Sequence, residues 1–175
     1  MKPAVLLSLL LPLLALTAGS AWGRRDPLNT AEIAELREVA QQPDKRLPLY
    51  VKFIRERVES LQQLHSDPRF APGREMRIHD LLEEVDSLLQ ELDDNINAYV
   101  RQEMDVRKPL KAVIEMDGEL QRKLRAMKQH SPPEGLKIYG LALDFATDSA
   151  TESLDNAQRL AQAQEEAVKK PKQQR

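Results

Sequence analysis

The stretch from Glu75 to Met104 contains neither proline nor glycine and carries the longest regular apolar pattern in the chain. Ile78, Leu82, Val85, Leu89, Leu92, Ile96 and Tyr99 follow one another at alternating steps of four and three, the spacing that keeps side chains on one face of a helix. Leu81 and Leu88 widen that face to about three positions in seven, which suits a helix inside a bundle better than a narrow two-stranded seam. A helix of this kind needs several neighbours. The 4% aromatic content and six glycines point the same way, because strand and turn formers are scarce. The expected fold is all-α: an up-and-down bundle of four main helices plus a short N-terminal helix. The expected spans are about 30–42, 44–65, 75–104, 106–129 and 137–168, in a single domain over 28–168.

Before that domain, Lys2 precedes an apolar run from Ala4 to Leu16 that only Ser8 interrupts with a polar side chain, and the small and polar residues Thr17 to Ala21 follow. This is the order of a secretory signal peptide, too short to cross a bilayer comfortably. Residues 1–21 are therefore expected to be removed, with cleavage after Gly23 as the other site that leaves small residues in place. The chain has no cysteine and no Asn-x-Ser/Thr acceptor, which excludes disulfides, thiolate metal sites and N-glycans. An exported chain of that composition reads as bacterial, periplasmic or extracellular. A formal net charge of -2 supplies no field for nucleic acid. No stable membrane insertion is expected once the signal is gone.

Along the mature chain, Asn29 and Glu32 form the two halves of a capping box, and Leu28 and Ile33 have the spacing of a hydrophobic staple. Pro43 is expected to stop the first helix, Asp44 to cap the second, and Pro48 to sit in its first turn. The central helix holds Asp80, Glu83, Glu84, Asp86, Glu91, Asp93 and Asp94 between Ile78 and Val100, with no Lys or Arg. They read as a solvated face opposite basic residues such as Arg55 and Arg57.

Two signals compete near Pro109. The heptad phase continues through Val106, Leu110, Val113, Leu120, Leu124 and Met127, as in one kinked helix over about 75–128 within an elongated antiparallel bundle. Against that, Asp105, Arg107, Pro109 and Leu110 repeat the pattern of Asp44, Arg46, Pro48 and Leu49, and an interior proline costs about 3 kcal/mol. The break is the expected outcome. Ser131 to Gly135 reads as the next turn, and the last helix presents Leu141, Phe145, Leu154 and Leu160 beside Ala142, Ala146, Ala150, Ala157 and Ala161. A basic, disordered tail is expected over 169–175.

No catalytic motif stands out: there is no Gly-x-Ser-x-Gly, no His-Glu-x-x-His and no glycine-rich phosphate loop, so a non-enzymatic protein is expected. No cofactor is expected either. His65, His79 and His130 would share one end of an up-and-down bundle, which defines the metal-site alternative, and Met76, Met104, Met116 and Met127 are the remaining candidates for axial ligands of a haem. Glu103 and Asp117 are polar residues at heptad core positions, either reaching water from helix ends or forming a buried pair that fixes register or partner choice. Leu28 to Val39 is weakly similar to the short Leu-x-x-x-Gln helix starts of periplasmic Spy and CpxP-like proteins, without their Gln, and the resemblance implies a client-holding chaperone. The leading expectation is an exported helical module of the bacterial envelope that acts through a protein partner or self-association.

Overall fold

The computed structural model describes residues 26–66 and 72–169, and the apolar run of the signal peptide, the cleavage site and tail residues 170–175 lie outside them. Among the described residues the chain is an all-α bundle of five helices: α1 (Thr30–Glu38), α2 (Pro43–Ser66), α3 (Arg74–Arg101), α4 (Arg107–His130) and α5 (Pro133–Lys169).

The N-terminus of α1 forms as its sequence dictates. The Asn29 side chain accepts from the amides of Ala31 and Glu32, and Glu32 reaches back to the Asn29 amide at 2.8 Å. The helix ends at Glu38, earlier than expected. Its Leu36 carbonyl is taken by the Arg46 guanidinium at 2.8 Å, and the Ala40 carbonyl by the Tyr99 hydroxyl at 2.6 Å. Pro43, expected to terminate α1, instead begins α2, where a missing N–H is harmless. The cap is Gln42 rather than Asp44, since its carbonyl accepts from Lys45 and Arg46. Pro48 consequently lies beyond the first turn.

The expected break is present, and no helix runs continuously from 75 to 128. Helix α3 stops at Arg101, and the chain turns through residues 102–106. Glu103 has φ 59°, the amide of Glu103 donates to the Val100 carbonyl and that of Met104 to the Tyr99 carbonyl, both at 3.0 Å. This is the paired-bond stop that usually places glycine at the left-handed position. Pro109 then falls in the first turn of α4. The Asp-x-Arg-x-Pro-Leu pattern thus has two settings: Asp105 precedes its helix, whereas Asp44 is inside one. The Gln164 side-chain amide of α5 fastens the connection, accepting from the Val106 amide at 3.1 Å and donating to the Met104 carbonyl at 2.9 Å.

At the other turn, Pro133 opens α5, so the connection is only Ser131 and Pro132 and Gly135 is helical. Gly135 is required there by close approach: a Cβ would lie 2.8 Å from the Tyr139 hydroxyl. Tyr139 is buried and donates to Ser131 Oγ at 2.9 Å.

Four long helices enclose the core. Helix α2 packs on α3 and α4, and α5 packs on α3 and α4, while α3 and α4 form no extensive pairing although they are consecutive. Bonds from Arg57 to Glu84 and from Tyr50 to Glu91 run in opposite order along α2 and α3. Those from Asp86 to Ser149 and from Asp93 to Ser153 run in the same order along α3 and α5. The stripes of α2, α3 and α4 are buried, including Leu47, Ile54, Leu89, Ile96, Leu110 and Val113 at 0% exposure, each burial stabilising by about 1.5–3 kcal/mol. In α5 the inward positions beyond Tyr139 and Leu143 are mostly small: Ala146, Ala150, Ser153 and Ala157 are fully buried. Leu141 and Phe145, read as part of that helix's packing stripe, instead face solvent.

Candidate functional site

Three places on this scaffold could carry chemistry or recognition, and the sequence pointed at only part of each. The first is the end where α2 and α4 finish. A groove of about 740 Å³ there is lined by Val58, Leu61, His65, Arg122, Leu124, Met127 and His130, among others. His65 Nε2 lies 3.3 Å from Ser131 Oγ, and His130 Nδ1 lies 2.7 Å from the Ala126 carbonyl. Burial and the nearby positive groups Arg74 and His130 lower the His65 imidazole below its ordinary value. His79 does not join them: it is on α3, with Nδ1 3.8 Å from Asp80 and 4.0 Å from Glu83. Among the described residues no group of three or more His, Asp or Glu side chains is arranged to hold a metal ion. Met116 and Met127 are buried within α4 and Met76 is exposed. The apolar floor of the groove is itself buried, which leaves little surface for a ligand to cover.

The second place is the polar seam where α3, α4 and α5 meet. Asp117 of α4 is 0% exposed, and neither carboxylate oxygen has a hydrogen-bond partner. Ser153 of α5, which acts on the Asp117 carboxyl, donates its hydroxyl to Asp93 Oδ1 of α3 at 3.1 Å. Burial pushes the Asp117 carboxyl up to about 7, opposed by Ser153 and reinforced by the negative charge of Asp93. Burial also raises Asp93, against the hydrogen bonds it accepts from Ser153 and Asn156. A turn and more away, Asp86 is buried and accepts from Ser149 and from Gln90, the latter at 2.9 Å. Glu103, the other polar residue at a heptad core position, is exposed at the end of α3 and takes no part. The two therefore do not form a pair.

Asp86 and Asp93 depart from the solvated acidic face expected of α3. Glu84 does meet Arg57, at 3.1 Å, but Arg55 turns to Glu119 of α4 at 3.8 Å. A signal was present in the sequence: Ser149, Ser153 and Asn156 repeat along α5 at helical spacing and match Asp86, Asp93 and Asn97 along α3.

The third place is the outer face of α5. Ile138, Leu141 and Phe145, at steps of three and four, are 44%, 68% and 55% exposed. They form an apolar strip on the side of the helix opposite its buried alanines. No helix among the described residues is long and apolar enough to cross a membrane. Comparisons with protein-family models, with curated proteins and with solved structures gave no match for this chain.

Proposed function

We propose that this chain is an exported, non-enzymatic helical-bundle protein of the bacterial envelope that works through protein contacts made by the outer face of α5. The observation that carries this reading is the apolar strip on the outer face of that helix. Ala142, Ala146, Ala150 and Ala157 point into the bundle beside Tyr139 and Leu143, while Ile138, Leu141 and Phe145 are left in water, outside the core. Export rests on the charged, apolar and small-residue order of residues 1–21.

The scaffold beneath the strip is an up-and-down bundle in which α2 and α4 run one way and α3 and α5 the other. In this arrangement α3 and α4 occupy a diagonal, and the support is the order of the cross-helix bonds together with the absence of an extensive α3 to α4 pairing. Two hairpins, α2 with α3 and α4 with α5, then lie side by side. Such a scaffold holds the strip rigid along its roughly two turns.

The test is the double variant Leu141→Ser, Phe145→Ser. Its unfolding midpoint should stay within about 0.5 kcal/mol of the parent, because both side chains are already exposed. Its association, read by light scattering for self-assembly and by co-purification for a partner, should be lost. Unchanged association would remove the strip from the account. A client-holding chaperone uses the same strip and differs in one readout: the parent protein, and not the double variant, would suppress aggregation of an unfolded client.

A further inference from the structure

We propose that Asp117, Ser153 and Asp93 form a proton-operated latch that holds α4 and α3 to α5 in its protonated state and loosens this seam when the proton leaves. The geometry admits one proton economically. In the closed state the Asp117 carboxyl O–H donates to Ser153 Oγ, and the Ser153 hydroxyl donates to Asp93 Oδ1, the bond present at 3.1 Å. Each acid then has a partner and only one is charged. Removal of the Asp117 proton leaves two carboxylates competing for the Ser153 hydroxyl, with Asn156 a further donor to Asp93 only, and sets a second negative charge beside the first.

Among the described residues the groups acting on Asp117 are Ser153 and Asp93, and neither is a cation that would offset that second charge. From α2, Arg55 is engaged with Glu119 at the surface, and Tyr50 is turned to Glu91. From α3 and α5 the charged groups acting on Asp93 are Asp94 and Glu152, both acidic. Arg159 of α5 bonds the Asn156 carbonyl oxygen at 2.8 Å rather than either aspartate. The direction of the effect follows. Asp117 holds its proton more tightly folded than unfolded, so the stability carried by its protonated form is complete at low pH and falls as pH rises through about 7.

The experiment compares the purified protein with Asp117→Asn, which keeps the shape and a donor but cannot lose a proton. Melting temperature is followed from pH 5 to 8, with hydrogen exchange of α4 and α5 amides corrected for intrinsic rate. The parent should lose roughly 10 °C relative to the variant over that range, and its α4 and α5 amides should lose protection at the upper end. A carbon-13 titration of the Asp117 carboxyl in the parent gives the second readout, independent of the folding of any variant, with a midpoint near neutrality expected. Parallel melting curves for parent and variant, or an Asp117 carboxyl that titrates below pH 5, would overturn the proposal. Neither readout involves the α5 outer strip, so a failure here leaves the protein-contact reading intact, and the converse holds.

Discussion

Glu103 shows how a single backbone angle can be hidden from a sequence. Its polar side chain at a heptad core position could be read as a buried register residue, but the residue is exposed at φ 59° because α3 has already ended. A left-handed conformation costs a side-chain-bearing residue about 1–2 kcal/mol, partly balanced by the greater unfolded-state freedom of glycine. Glu103→Gly should therefore stabilise the protein by about 0.5–1 kcal/mol in a denaturant titration, and Glu103→Leu should not stabilise it. Asp117, flagged by the same pattern, is buried. The heptad placed both on one face, and only the position of the break decided which of them meets the core.

A second residue-scale feature is the ion cluster that holds α1. Arg57 donates to Glu32 Oε2 at 2.7 Å, to Glu84 at 3.1 Å and to the Pro27 carbonyl at 2.8 Å. Burial raises the Glu32 carboxyl, yet the bonds from Arg57 and the Asn29 amide outweigh it and leave the group below its ordinary value. A depressed carboxylate contributes stability above its unfolded value of 4.5, and that contribution is lost as pH falls through the depressed folded value. Glu32→Ala should cost roughly 3 kcal/mol at pH 7, since Arg57 loses its closest carboxylate and keeps Glu84 at 3.1 Å and the more distant Glu56 at 4.0 Å, and markedly less at pH 3. Equal costs at both pH values, measured by chemical unfolding, would exclude this role.

At the scale of elements, apolar periodicity was sufficient to find five helices, because each long helix carries a continuous stripe that the others cover. The helix ends were less legible. Pro43 reads as the terminator of what precedes it and Pro133 as part of a turn, but each occupies the start of the following helix, where its fixed φ is favourable. The anchor of the α3 to α4 connection was invisible, since it is the side chain of Gln164, distant in sequence. Gln164→Ala removes both bonds and leaves the buried Val106 without a partner for its amide, which should cost about 1–3 kcal/mol. Faster hydrogen exchange at Val106 than at Leu110 would locate the damage. A variant as stable as the parent would show that the connection holds without the clamp.

At the scale of the molecule, a helix pattern predicts how many helices share a core, and it does not specify which of them touch. Although α3 and α4 are consecutive, they form no extensive contact, and α5 covers both. That pairing is set by side chains that periodicity ignores, including the alanines of α5, which allow close approach, and the Asp86 to Ser149 and Asp93 to Ser153 bonds. The same arrangement accounts for the candidate sites. It places Asp117 and Asp93 on either side of Ser153, and it turns Phe145 outward. It also keeps His79 apart from the groove that His65 and His130 line. Of the three imidazoles inferred to share one end, two therefore meet at one groove and the third does not line it.

The most direct test of the protein-contact account is site-specific photo-crosslinking in intact cells. A photoreactive amino acid is placed at Phe145 in one strain and at Glu59 in another, since Glu59 is exposed on α2, a helix with no extensive α5 pairing. The account predicts a discrete adduct at position 145, either one partner protein or a second copy of the chain, and none at position 59. No adduct at 145, or the same ladder of adducts at both positions, would contradict it.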